Sequence, residues 1–87
     1  MDNKHESIIT TLSNWINNNT RVIVCLEANG ITLRNSIVIN SIVDFGSSCL
    51  IAGEDEFQIE LDYADLSATE FGLEYTGENA SITIDSI

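Results

Sequence analysis

The chain has 87 residues, 44% of them hydrophobic, and a formal net charge of −11 at pH 7. That length holds one domain with a single core, and the hydrophobic share is too high for a disordered acidic tail. The acidity disfavours direct nucleic-acid binding, which draws its affinity from Lys and Arg on phosphates.

Residues 3–16 read as an amphipathic helix, because Ile8, Ile9, Leu12, Trp15 and Ile16 recur at helical spacing as one apolar stripe. Asn3 and Glu6 stand at capping-box spacing, and Asn17-Asn18-Asn19 ends the helix, since Asn tolerates a left-handed terminus. Trp15 is expected in the core. His5, the only histidine, lies in the first turn near Ile8 and Ile9 and is expected at the helix edge. A catalytic role would require a nucleophile within its reach, and nothing in the sequence arranges one.

Residues 21–43 form the organising stretch, with two β-branched runs flanking Asn29-Gly30. A type I′ turn needs positive φ at both central residues, and Asn-Gly reaches it at least cost. The two-residue loop sets Ala28 opposite Ile31, Leu26 opposite Leu33, Val24 opposite Asn35 and Val22 opposite Ile37. Val22, Val24, Leu26, Ala28, Ile31, Leu33 and Ile37 are thereby expected on one inward face, interrupted only by Asn35. The second arm is long, and Asn40-Ser41 in its middle predicts a bend or bulge.

Residues 48–52 then form a short strand. Residues 57–63 alternate without a fault, with Phe57, Ile59, Leu61 and Tyr63 inward and Gln58, Glu60 and Asp62 outward. Ala64 to Thr69 reads as a single helical or 3₁₀ turn. Residues 70–86 hold a last hairpin, closed by Thr76-Gly77-Glu78-Asn79. The expected fold is α+β: an N-terminal helix on a strongly curved antiparallel sheet, or a small open SH3/Sm-like barrel, of about five to six strands.

The order of elements resembles the Sm-like family, which includes the bacterial RNA chaperone of that fold. The matching parts are Leu12 to Asn19 as the helix end, Val22 to Leu33 as the first hairpin, the long bent second strand, and Phe57 to Leu66 with its turn. The resemblance covers residues 8–70 and implies architecture and ring assembly. It does not carry the family's RNA binding: Asn35 stands where a small Gly is usual, and the Asp-to-Asn pair and the basic, glycine-containing motif are absent. Residues 71–87 have no counterpart in that family.

Charge is divided unevenly along the chain. Residues 1–46 hold all three basic side chains (Lys4, Arg21, Arg34) against four acids, a net of −1, whereas residues 47–87 hold ten acids and no Lys or Arg. The densest acids are Glu54, Asp55, Glu56, Glu60, Asp62 and Asp65, and they lack the spacing of a Ca²⁺ loop. With Glu74, Tyr75 and Glu78 they form the expected partner-binding set. Cys25 and Cys49 read as small buried hydrophobes, and two thiols with one distant His do not make a zinc site.

No catalytic, cofactor-binding or metal-binding residue is therefore expected. The sequence suggests an acidic, cytoplasmic, non-enzymatic protein-binding module of the inhibitor or immunity type. Its expected partner is a basic protein, a nucleic-acid-binding enzyme or toxin, whose nucleic-acid-facing surface it occludes. The alternative is an Sm-like structural module that assembles into a homo-oligomer. Neither a secretory signal nor a membrane span is legible, and no membrane partner is expected.

Overall fold

A computed structural model of the chain describes residues 4–86. One helix, α1 (Lys4–Asn17), precedes seven strands: β1 (Arg21–Ala28), β2 (Ile31–Asp44), β3 (Ser48–Gly53), β4 (Gln58–Asp62), β5 (Leu66–Ala68), β6 (Gly72–Thr76) and β7 (Ala80–Ser86). They form one antiparallel sheet in the order β4-β3-β2-β1-β7-β6-β5, strongly curled into a half-barrel with α1 packed on it. The two edge strands, β4 and β5, follow each other in the chain, joined by the 3₁₀ turn Tyr63–Asp65. The expected fold class holds, with seven strands in place of five or six. The added strand is β5, within a stretch expected to be a helical turn from Ala64 to Thr69; only Tyr63–Asp65 is 3₁₀, and Leu66 is already extended.

The helix buries Ile8, Leu12 and Trp15, with Ile9 and Ile16 packed beside them, so the stripe faces the sheet. Asn3, half of the expected capping box, lies outside the described residues. At the other end Asn19 takes φ 49°, and the Thr20 N–H returns to the Trp15 carbonyl at 2.9 Å. Helix termination by the Asn run follows from that left-handed residue.

The first hairpin turns at Asn29 (φ 51°) and Gly30 (φ 78°). Its register is the expected one, from Ala28 opposite Ile31 to Val22 opposite Ile37. Further along β2 the pairing with β3 slips between Ile39 and Ser41, a bulge at the predicted place. The bulge changes the phase of alternation, so that Ile37 and Ile39 before it and Ile42 after it all contribute to the core.

A further expectation is corrected. Ile31 and Leu33 share the inward side with Val22 and Val24, yet they are 62% and 59% exposed. The arm overshoots the covering layer: α1 meets β2, β5 and β6, and Ile31 and Leu33 near the hairpin tip stay open to solvent while Ile37 and Ile39 of the same strand are buried. Alternation gives the face of a residue and not the place where the opposing layer ends.

The core joins Val22 and Val24 of β1, Ile37 and Ile39 of β2, Cys49 and Ile51 of β3, Leu61, Tyr63, Leu66, Leu73, Ile82 and Ile84 to the helix stripe. β6 and β7 approach closely at Gly72, where a Cβ would meet the Ile84 carbonyl oxygen. Cys25 and Cys49 are both free, and β2 runs between their strands. Among the described residues no helix is long and apolar enough to cross a membrane.

Candidate functional site

The β3–β4 hairpin carries most of the predicted acids. Cys49 pairs with Leu61 and Ile51 with Ile59, and these side chains face the core. The intervening residues then point outward, which places Gln58, Glu60 and Asp62 in a row along the outer face of β4. All three are exposed, as are Asp55 and Glu56 at the tip and Asp65 in the 3₁₀ turn that follows.

The tip is built in an unusual way. The Phe57 N–H closes on the Glu54 carbonyl at 3.2 Å, and the residues between them, Asp55 and Glu56, have φ 59° and 62°. Left-handed backbone costs a residue with a Cβ roughly 1–2 kcal/mol relative to its right-handed alternative. Two acids therefore occupy a turn that Asn-Gly would close with less strain.

Not every acid in the cluster presents a free charge. Glu54 Oε1 lies 3.0 Å from Arg21 Nη1 and accepts the Val38 N–H at 3.2 Å, so Glu54 holds the tip to β2. Glu60 Oε2 accepts the hydroxyl of the buried Ser48 at 3.0 Å. Lys4 Nζ donates to the Ala64 carbonyl at 3.0 Å, at the 3₁₀ turn that follows β4. Asp55, Glu56, Asp62 and Asp65 remain as the carboxylates directed to solvent.

An apolar strip borders this row, and the sequence reading missed it. Val43 stands opposite Leu50, which stands opposite Glu60, so the three form one line across the outer face. Val43 is 45% exposed and Phe45, beside it at the β2–β3 turn, 57%. The available signal was Val43-Asp44-Phe45, two large apolar side chains alternating across a turn.

Glu74, Tyr75 and Glu78 lie elsewhere. β6 is separated from β4 within the sheet by β3, β2, β1 and β7. Glu74 is exposed, and Glu78 is at the tip of the last hairpin. Tyr75 packs against the core through its pairing with Ile82, on the opposite side of β6 from Glu74.

A polar cluster joins the helix start to the end of β2. Asp44 Oδ1 accepts the Gly46 N–H at 2.8 Å and the Tyr63 hydroxyl at 3.1 Å, while Oδ2 lies 3.1 Å from His5 Nε2. The His5 and Tyr63 rings meet edge to face with centroids 4.4 Å apart. The Gly46 N–H above all, with Tyr63 and His5 adding to it against some desolvation, holds the Asp44 carboxyl below its ordinary range. Burial pushes up both the Tyr63 hydroxyl and the Cys49 thiol. With its thiol protonated and buried, Cys49 is no nucleophile, and the cluster works as a clasp between α1 and the sheet.

No group of three or more His, Cys, Asp or Glu able to hold a metal ion occurs among the described residues. No protein-family model matches the chain, and neither a curated protein nor a solved structure matches it.

Proposed function

We propose that the chain is a non-enzymatic protein-binding module whose β3–β4 arm docks on a basic protein surface, in the manner of an inhibitor or immunity-type protein. The observation that carries this reading is the placement of exposed Val43 and Phe45 beside the outward row of Glu60 and Asp62. An apolar centre rimmed by charge is the usual anatomy of an interface. The carboxylates would take the places of phosphates at Arg and Lys of a nucleic-acid-facing site, and Phe45 would supply contact that salt does not screen. The strained acids at the tip agree with this role, since strain retained in a turn points to use of the side chains it displays. Two free cysteines suit a reducing, cytoplasmic setting.

The test is capture from an extract of the source cells with the wild-type chain and with a variant carrying Lys in place of Asp55, Glu56, Asp62 and Asp65. The wild type should retain a basic protein that binds nucleic acid when free and loses that binding in the complex. Capture of the same proteins by both chains would refute the reading.

A further inference from the structure

β2 is longer than the strands beside it can cover. β1 pairs with it from Ile31 to Val38, whereas β3 occupies its other edge only from Ile39 onward. Among the described residues no strand takes the outer edge of 31–37. The closing pair of a two-residue hairpin is hydrogen-bonded, so Ile31, Leu33, Asn35 and Ile37 turn their backbone groups toward β1. Thr32, Arg34 and Ser36 turn theirs outward. Val38, in the same phase, shows this directly: its N–H and its carbonyl both meet Glu54, at 3.2 and 3.1 Å. The Ser36 carbonyl is also taken, by Arg21 Nη1 at 3.2 Å. Thr32 and Arg34 are left with both backbone groups open.

We propose that this edge pairs with the same edge of a second copy, antiparallel, about a two-fold axis at Leu33. In that register Thr32 of one copy faces Arg34 of the other, and each such pair exchanges both backbone hydrogen bonds. The two-fold registers displaced toward β3 fail. An axis at Arg34 sets two guanidinium side chains opposite each other, and an axis at Asn35 needs the Ser36 carbonyl that Arg21 already holds. The axis at Leu33 also brings Leu33 against its own copy, in the closer, non-hydrogen-bonded kind of pair. Ile31 flanks it on the same side, so the two largest exposed apolar side chains of the arm gain cover.

Length and charge favour a second copy as occupant. The uncovered edge and the overhanging arm are the same residues, so the arm of one copy spans the gap of the other, and its Asn29-Gly30 tip ends near the Glu54 turn. Residues 31–38 contain Arg34 and no acid, in a chain of net charge −11. Arg34 makes no ion pair among the described residues. In the dimer it stands opposite Thr32 of the other copy, whose neighbour across β1 and β2 is the exposed Glu27. Arg21 already spans one strand in this way, from β1 over β2 to Glu54.

Sedimentation equilibrium over roughly three decades of concentration reads the association directly. The wild type should approach twice its 9.6 kDa mass. Leu33→Lys and Arg34→Glu should each hold the chain at monomer mass, and Glu27→Lys added to Arg34→Glu should restore the dimer. Circular dichroism checks that the variants stay folded, as exposed positions allow. Asp62→Lys, on the β4 edge, should leave the association unchanged, which separates this interface from the β3–β4 arm. A wild type that stays monomeric throughout, or a dimer indifferent to Leu33→Lys, would overturn the proposal.

Discussion

Arg21 reaches from β1 over β2 and sets its guanidinium 3.0 Å from the Glu54 carboxylate at the tip of the β3–β4 hairpin. Both side chains are more than a third exposed, so the ion pair itself stabilises the fold by only about 0.5 kcal/mol. The bond from the Val38 N–H to Glu54 is partly buried, and its loss costs about 1 kcal/mol. Urea unfolding should therefore rank Glu54→Ala as more destabilising than Arg21→Ala. Glu54→Gln, which keeps an acceptor, should fall close to Arg21→Ala and leave partner binding intact.

The strained tip makes a prediction of opposite sign. Glu56→Gly relieves a left-handed residue that carries a Cβ and should raise stability by about 1 kcal/mol in the same assay. If the carboxylate is there for a partner, the same change weakens binding. Stability and binding then move in opposite directions at one residue.

Phe45 and Val43 separate the docking face from the fold. Both are exposed, so Phe45→Ser should change stability by less than about 0.5 kcal/mol. Its effect should appear instead as a faster off-rate from the partner, and one that persists at high salt, unlike that of Asp62→Lys.

Asp44 gives the clasp its pH dependence. Its carboxyl lies below the ordinary value of 3.8, so the stability it contributes is fully present above that value. The contribution is lost as pH falls further and the folded-state carboxylate takes up its proton. Asp44→Asn should lower the melting temperature at neutral pH, and the gap from wild type should close as pH drops below 3.8. A gap that is constant across the acid range would contradict the clasp.

The hairpin register was legible because Asn29-Gly30 and the alternation of Val22, Val24 and Leu26 specify one pairing. The bulge was legible because Asn40-Ser41 interrupts an apolar run in a strand too long to stay flat. The exposure of Ile31 and Leu33 was not, since it depends on how far α1 extends over the sheet. β5 was missed because its three residues pair through the curl of the whole sheet, for which Leu66-Ser67-Ala68 carries no local signal. The acids read as one set because residues 47–87 hold ten acids and no Lys or Arg. Strand order separates them, with Glu60 and Asp62 on an edge and Glu74 four intervening strands away.

In the proposed function the outward carboxylates of the β3–β4 arm bind a basic protein surface. That binding is measured directly as the affinity for the captured partner at about 50 and 500 mM salt, a range over which the screening length shortens severalfold. The wild type should lose affinity steeply across that range, mainly through the on-rate, and the Asp55, Glu56, Asp62 and Asp65 Lys variant should bind weakly and without salt dependence. Equal affinity of the two chains at low salt, or a wild-type affinity that salt does not change, would contradict it.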